Sequence, residues 1–418
     1  MNDSSKQIRD ILEQLAIKSF KNRDGSYNRL RRHTDVSYAF DEEVKEQRTL
    51  FKSANGSTTE NLKVADSLDE LLTVMYKDGA SDLHIVVGAP PRYRINGELR
   101  NIFGYAKLTP DDTKFLLSKI LSDENKQIFE EEGDMDFAYS LRGVARFRVN
   151  LYKQRNTWAG VFRALSNKIF TVNDLNLPAS IVDLTSRKRG LILVTGPTGS
   201  GKSTTLASLI DFINENYRKN IITLEDPIEY LHRHKFSNVS QREMGVDSKD
   251  FAMALRASLR EDPDVILVGE MRDYETISTA VTAAETGHLV FSTLHTIGAA
   301  NTVDRIIDTY PASQQSQARN QLANVLQGVI SQQLVPKADG TGRVAAFEIM
   351  LGNDAIRNQI REGKTEQIAG TIQTNANLGM CLLDDNLFGL VKAGTISSES
   401  AIEFAVDKKG MQSKLGGH

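Results

Sequence analysis

The residues best suited to chemistry form one short stretch, Gly196 to Thr204, which reads GPTGSGKST. An apolar run, 190–195, precedes this stretch, and 205–213 has the spacing of a helix that is buried on one face. A strand, a glycine-rich loop and a helix form the setting in which backbone N–H groups and a helix N-terminus bind a polyphosphate. The candidate phosphate-binding residues are Gly196, Pro197, Thr198, Gly199, Ser200, Gly201, Lys202, Ser203 and Thr204.

The two residues after the last glycine have separate predicted roles. Lys202 would reach the β- and γ-phosphates, and the Ser203 hydroxyl would ligate Mg²⁺. A glycine turn with a purely structural role is the alternative, but every fixed position of the pattern G-x-x-x-x-G-K-[ST] is present in the right context. The sequence therefore predicts that the chain binds ATP together with Mg²⁺.

Carboxylates follow two further apolar runs. Glu225 and Asp226 come after 221–224, and Glu270 comes after 264–268. In open α/β sheets ligands bind at the carboxyl ends of the strands. We expect Glu270 to act as the general base that polarises the attacking water, and Glu225 to help orient Mg²⁺ or its waters. An acidic pair at a strand end is more often a turn, but the P-loop in the same chain favours the catalytic interpretation.

Two histidines flank one apolar run. His288 precedes 289–294 and His295 follows it. A lone histidine is more often a core or surface residue than a catalytic one. Because this pair lies at the two ends of one predicted core strand, a role as a γ-phosphate sensor is as well supported as a structural role.

Arginines could bring positive charge to the nucleotide from outside the P-loop region. Arg148 and Arg163 fall on two predicted strands in the first half of the chain. They could meet a phosphate as an arginine finger does. Surface ion pairs are the alternative. Further arginines lie near these strands and the acidic strand: Arg146, Arg256, Arg260 and Arg272.

The order of elements predicts an α/β protein with two main domains. From residue 181 strands and helices alternate, which indicates a largely parallel sheet with helices on both faces, and past Gly298 we expect mainly helices. The predicted regions are an N-terminal extension, partly helical or disordered, at 1–61; an α+β domain at 62–165; a linker at 166–180; the alternating domain with C-terminal helices at 181–407; and a tail at 408–418, which we expect to be frayed from 410.

Composition excludes several classes of protein. A formal net charge of -3 gives no overall attraction to nucleic acid, so we expect no nucleic-acid partner. Cys381 is the single cysteine, which excludes a disulfide within the chain and a cysteine-based zinc cluster. No apolar run approaches the ~20 residues of a membrane span, and 1–9 is polar rather than a signal peptide. We therefore expect a cytoplasmic protein.

Six ordered motifs resemble those of the secretion-superfamily ATPases, and within that superfamily those of the pilus-retraction motors. The resemblance runs from about residue 66 to 407. Besides the P-loop, the motifs are ASDLHI at 80–85, ARFRVN at 145–150, IITLEDPIEY at 221–230 (the Asp box), LREDPDVILVGEMRD at 259–273 and TGHLVFSTLHT at 286–296 (the His box).

The resemblance implies a PAS-like N-terminal domain joined to a RecA-like P-loop ATPase domain, with six copies forming a ring. It implies ATP hydrolysis that drives retraction of a type IV pilus and twitching motility. The partners would be an inner-membrane platform protein and other pilus motor subunits, with the ring attached peripherally to the inner membrane at the pilus base. The implied site residues are Lys202, Ser203, Glu225 and Glu270, His288 and His295 near the γ-phosphate, and Arg148 and Arg163 from the N-terminal domain.

Two features favour retraction over the related assembly and type II secretion ATPases. Those relatives usually carry a four-cysteine zinc element, which this chain cannot form. The stretch AIRNQIRE at 355–362 resembles the retraction signature AIRNLIRE, with Gln359 in place of leucine.

Three other functions remain open at this point. The same ATPase could energise a type IV or type II-like secretion or conjugation system. A nucleic-acid motor on a RecA-like core is disfavoured by the acidic balance. A nucleotide-binding regulator with little turnover is disfavoured by the intact Glu270.

Overall fold

A computed structural model of the protein describes residues 62–165 and 168–416. The predicted extension at 1–61 lies outside the described residues. Two separate sheets organise the rest, one of six strands and one of seven.

The first sheet is antiparallel throughout, with the strand order β3-β2-β1-β6-β5-β4. Along β5 the residues Phe147, Val149 and Leu151 are fully buried and alternate with more exposed ones, as expected when only one face of a sheet is covered. The elements are α1 (Leu68–Lys77), β1 (Asp82–Ile85), β2 (Arg92–Ile95), β3 (Glu98–Asn101), α2 (Pro110–Ser118), α3 (Asp123–Glu132), β4 (Asp134–Leu141), β5 (Ala145–Gln154) and β6 (Thr157–Ala164).

The helices of this part cover the buried face of the six-stranded sheet. Leu71 and Leu72 of α1 and Leu116 of α2 belong to the same apolar cluster as the inward residues of the strands. A capping box starts α2, because the Thr109 hydroxyl accepts from the Asp112 N–H and the Asp112 carboxylate accepts from the Thr109 N–H. The opposite face of the sheet stays free to carry polar side chains.

The second sheet has the order β13-β12-β7-β11-β10-β8-β9, and every neighbouring pair is parallel except β12 with β13. Its strands are β7 (Gly190–Thr195), β8 (Asn220–Glu225), β9 (Asn238–Glu243), β10 (Val265–Val268), β11 (Leu289–Leu294), β12 (Leu326–Pro336) and β13 (Arg343–Leu351). The helices of this region are α4 (Ala179–Val182), α5 (Lys202–Asn216), α6 (Phe251–Ser258), α7 (Tyr274–Glu285), α8 (Ala299–Asp308) and α9 (Gln315–Val325).

Helices cover both faces of this sheet, as predicted. Every residue of β7 and β11 is buried. Leu191 and Leu193 pack in one apolar cluster, whereas Ile192 and Val194 pack in another on the opposite face. A parallel strand that is enclosed on both sides reads as a continuous apolar run, which explains why the sequence identified these strands.

Three strands of this sheet were not predicted. The edge strand β9 reads NVSQRE and has little apolar content. The hairpin of β12 and β13 follows Gly298, where mainly helices were expected, so that expectation is wrong for 326–351. Long-range pairing with β7, rather than local periodicity, decides the conformation of β12.

Five helices end the chain: α10 (Asp354–Glu362), α11 (Ile368–Thr374), α12 (Leu383–Lys392), α13 (Ser398–Phe404) and α14 (Lys408–Gly416). Short 3₁₀ turns lie at Asp183–Ser186, Ala312–Gln314, Thr365–Gln367 and Ala376–Leu378. Among the helices of 62–165 and 168–416, none is long and apolar enough to cross a membrane.

The prediction that the tail is frayed over 410–418 is wrong for 410–416, which belong to α14. Met411 is 2% exposed and packs with Leu387 of α12 in an apolar cluster to which Leu415 also contributes. The Asp407 carboxylate accepts from the Gly410 N–H, and Lys414 forms an ion pair with Asp385. Two apolar residues four apart are too few to predict a helix from sequence. They stabilise α14 because α12 provides an apolar surface for them to pack against.

We expect Met411→Ala to release α14 from α12. Truncating a buried methionine costs about 2–5 kcal/mol, so amide hydrogen exchange across 408–416 should speed up by about 30-fold or more. Met253→Ala is the matched control, because Met253 is 40% exposed. Equal exchange in both variants would mean that α14 is not held by this contact.

Candidate nucleotide site

The carboxyl ends of four parallel strands meet at one edge of the seven-stranded sheet. The P-loop follows β7, Glu225 ends β8, Glu270 lies two residues after β10 and His295 directly follows β11. Strand register aligns these ends, since Leu294 pairs with Thr195 and Val268 pairs with both Leu224 and Ser292. Residues far apart in sequence are thereby assembled along a single line.

Glycine is required at two points of the P-loop. Gly196 has φ 140°, and a Cβ there would lie 2.2 Å from the Gln332 carbonyl oxygen. Gly201 precedes α5 in the left-handed region with φ 87°. Between them Pro197, Thr198 and Gly199 are exposed, whereas Ser200 is buried. The loop therefore presents its central part to solvent and packs its two ends against the protein.

The Lys202 ammonium lies at the opening of this loop. Its Nζ donates to the Gly196 carbonyl at 2.8 Å and to the Pro197 carbonyl at 3.1 Å. Burial lowers the pKa of Lys202 below its ordinary value of 10.5, and the charges of Glu270 and Glu229 oppose this shift. A buried ammonium held by neutral carbonyls is an anion-binding group.

The surroundings fit a polyphosphate with a metal ion. Ser203 is exposed at the start of α5, where its hydroxyl can ligate Mg²⁺. The buried hydroxyls of Ser200 and Thr195 have no hydrogen-bond partner within the described part of the chain. Thr204 is fixed from outside the loop, because its hydroxyl lies 2.8 Å from the Tyr230 hydroxyl.

Glu270 lies between two cationic or polarisable groups. Its side chain is 15% exposed, and one carboxylate oxygen is 2.6 Å from Nη2 of Arg272. The other carboxylate oxygen is 3.5 Å from Nε2 of His295. This places a carboxylate and an imidazole side by side at the edge that carries the P-loop.

Glu225 is partly buried and faces a different set of groups. Its Oε1 accepts from the Thr223 hydroxyl at 2.6 Å and from Nε2 of Gln241 at 3.0 Å. Burial raises the pKa of Glu225 above its ordinary value of 4.5, and these two hydrogen bonds oppose the shift. Asp226, the next residue, is exposed.

Three residues that were not predicted support the site. Gln241 donates to the Tyr230 carbonyl at 2.8 Å as well as to Glu225. Tyr230 belongs to the Asp box and contacts Thr204. Gln332 of β12 contacts the P-loop from behind. Only Tyr230 had a signal in sequence, through its motif, because the two glutamines lie on strands that were not predicted.

His288 is not at the site, contrary to the expectation that both histidines lie near the γ-phosphate. It precedes β11, and its carbonyl accepts from the N–H of Gly190, the first residue of β7. Its Nδ1 lies 2.9 Å from the Ala283 carbonyl oxygen. Because β11 separates the two histidines, His288 lies at the opposite edge of the sheet from His295.

Arg148 and Arg163 face each other on neighbouring strands of the six-stranded sheet. Both are exposed, and Arg163 donates to Asp82 at 2.8 Å. Arg146 lies on the same face of β5, two residues before Arg148, and forms an ion pair with Glu243 of β9. The arginine-bearing face thus contacts the seven-stranded sheet through Arg146.

Comparison with known proteins defines the class. Residues 57–382 match the family model described as Type II/IV secretion system protein. The chain is 49% identical over 338 residues to the type IV pilus retractation ATPase PilT of Pseudomonas aeruginosa, covering 81% of this chain and 98% of that protein. It is 45% identical over 321 residues to the twitching motility protein of Neisseria gonorrhoeae, covering 77% and 86%.

The fold agrees with a solved structure described as the pilus retraction motor PilT with bound ADP. The TM-score is 0.78 at 49% identity, covering 82% of this chain and 98% of that one. The chain belongs to the type II/IV secretion system protein family. The predicted α/β fold class is confirmed, and the protein is a nucleotide-binding ATPase.

We expect Glu225→Gln to raise the melting temperature at pH 8. The pKa of Glu225 is higher in the folded protein than its ordinary value of 4.5, so ionisation of this carboxyl opposes folding once the pH exceeds that value. The amide oxygen of glutamine can still accept from Thr223 and Gln241.

The gain should shrink as the pH falls towards 4.5, where the unfolded carboxyl also becomes protonated. Melting curves of the native protein and of Glu225→Gln at pH 8 and pH 5 measure this gain in melting temperature. Glu285→Gln, at an exposed position, serves as the control. A gain that is larger at pH 5 than at pH 8 would reverse the assigned sign.

Proposed function

We propose that the protein is a hexameric motor that hydrolyses ATP to power type IV pilus retraction. The observation that carries the hydrolytic part is the single edge at which the P-loop, Glu270 and His295 meet. Similarity over 81% of this chain and 98% of a protein named as a pilus retractation ATPase supports the retraction part.

In the proposed reaction Lys202 exchanges its two P-loop carbonyl partners for phosphate oxygens. Glu270 takes the proton of the attacking water, with His295 beside it to sense the γ-phosphate. Glu225 would help to orient Mg²⁺ or its waters. Mg²⁺, ligated by Ser203, would supply positive charge to the phosphate oxygens.

The N-terminal arginines complete the proposed site. Arg148 of β5 lies opposite Arg163 of β6. A rotation of this sheet towards the P-loop would therefore bring both positive charges to the nucleotide at the same time. Arg163 would have to leave Asp82. We therefore propose that 62–165 and 181–407 act as two domains joined by 166–180, and that hydrolysis changes their relative orientation.

The helix α10 supports the retraction assignment. It carries the stretch AIRNQIRE, with Ile356 and Ile360 buried. The departure from the retraction signature, Gln359, donates through Nε2 to the Thr371 hydroxyl of α11 at 2.8 Å. A hydrogen bond between the two helices thus takes the place of an apolar contact.

The proposed partners follow from the same assignment. Six copies form a ring in the cytoplasm, attached peripherally to the inner membrane at the pilus base. The ring acts on an inner-membrane platform protein, together with other pilus motor subunits, and it needs no nucleic acid.

We expect Glu270→Gln to bind ATP normally but to lose turnover by about a hundredfold or more, since a general base contributes about 10²–10⁴-fold. Lys202→Ala should lose nucleotide binding itself, because it removes the ammonium at the loop opening. Fluorescent-nucleotide binding and phosphate release measure the two steps separately. Glu285→Gln, at the far end of α7, is the control. Normal turnover of the Glu270 variant would refute its assignment as the base.

In the source organism, Glu270→Gln in place of the native copy should leave an excess of surface pili and abolish twitching. Pili that can be assembled but not withdrawn accumulate, whereas loss of an assembly motor leaves few. Pilus counts by electron microscopy distinguish the two. Normal pili with lost export of another substrate would instead indicate an ATPase that energises a secretion or conjugation system.

A further inference from the structure

We propose that Gln332 is a positioning residue of the nucleotide site, which holds the P-loop in its phosphate-binding shape. Gln332 lies on β12 next to β7, one residue beyond Ser331, which pairs with Thr195. It is 2% exposed. A buried amide beside a phosphate-binding loop has to be explained by the partners that it satisfies.

Both ends of the amide bond the P-loop and the first turn of α5. Nε2 donates to the Ser200 carbonyl at 2.7 Å, and Oε1 accepts from the Thr205 hydroxyl at 2.8 Å. The carbonyl of Ser200 can only accept, so the orientation of the amide is determined by this contact. No other residue type of this length offers a neutral donor and acceptor together.

Gln332 also limits the space around both essential glycines. Its carbonyl oxygen would lie 2.2 Å from a Cβ at Gly196, and its Nε2 would lie 2.9 Å from a Cβ at Gly201. Gln332 therefore packs against the P-loop from behind, with its backbone carbonyl at Gly196 and its side chain at Ser200 and Gly201.

The Ser200 contact has a direct electrostatic consequence. A phosphate is bound by N–H groups, and a carbonyl oxygen turned towards it would repel it. The Ser200 carbonyl oxygen accepts from Nε2 of Gln332, so this oxygen points to β12 rather than into the loop. The backbone N–H groups can then face the ligand.

The same strand supports the neighbouring loop of the site. The Ser331 hydroxyl accepts from the N–H of Gly298 at 2.9 Å. Gly298 lies three residues after His295. Ser331 is itself 2% exposed. Consecutive buried polar residues of β12 therefore hold the P-loop and the segment that follows His295, which makes this strand the common support of both.

The test compares Gln332→Met with Gln333→Met in the full-length protein. Methionine has a similar length but cannot pair the Ser200 carbonyl. Gln333 is the next residue on the strand and is only half-buried, so the same substitution there is the matched control. The probes are fluorescent ADP and ATP for binding, and phosphate release for KM and kcat.

We expect Gln332→Met to raise the Kd for ADP and ATP and the KM for ATP by about tenfold or more, with kcat changed by less than about threefold. The P-loop holds the phosphates in the ground state and the transition state alike, so its distortion affects binding more than the chemical step. Gln333→Met should change neither.

Two further variants cover the case in which Gln332→Met fails to fold. Thr205→Val removes the donor to Oε1 and should raise both Kd values in the same direction, and Gln332→Glu should do so more strongly because it places a carboxylate oxygen against the Ser200 carbonyl. Kd values within about twofold of the native protein in the folded variants would overturn the proposal, since a hydrogen bond that positions the loop is worth more than that.

The inference rests on the nucleotide site proposed above, and the two can fail separately. If the native protein binds neither ADP nor ATP, the proposed function fails. If the native protein binds both and Gln332→Met binds them equally well, only the role of Gln332 is refuted.

Discussion

The parallel pairing of β7 with a neighbour on each side is the constraint on which the site depends. Its register with β11 runs from Gly190 opposite Leu289 to Thr195 opposite Leu294, and β12 pairs with its other edge. Parallel strands place their carboxyl ends at one edge and require crossover helices on the faces. The buried apolar strands, the two-sided core and the line of functional loops all follow from this arrangement.

Charge at this edge is balanced around a buried ammonium. Burial opposes the charge on Lys202, and Glu270 and Glu229 favour it. Glu270 is in turn flanked by Arg272 and His295. A polyphosphate adds negative charge where the ammonium donates only to neutral carbonyls, so its attraction to Lys202 compensates the cost of desolvating the ammonium.

Side-chain amides connect the loops to each other. Gln241 joins Glu225 to the backbone of Tyr230, and Gln332 joins Ser200 to Thr205. An unpaired buried amide costs about 1–3 kcal/mol, which favours the arrangement in which the buried Gln332 makes both of its hydrogen bonds. Gln241 of β9 and Gln332 of β12 thereby hold the segment after β8 and the P-loop after β7 in place.

The sequence by itself determined the chemistry that is local. A complete P-loop pattern between a strand and a helix predicted the nucleotide site, and an apolar run followed by Glu270 predicted a carboxylate at the same edge. Such signals span only a few residues, and the conformations they require are set by glycine and by strand direction. The class of fold followed from the alternation of strands and helices.

Only the tertiary structure decided which of two similar residues reaches the site. His288 and His295 look alike in sequence, yet the strand between them places them at opposite edges of the sheet. Gln332 lies on β12, whose conformation depends on pairing with β7. Met411 anchors α14 because it packs against α12. Each of these outcomes depends on contacts between residues distant in sequence, which local periodicity does not encode.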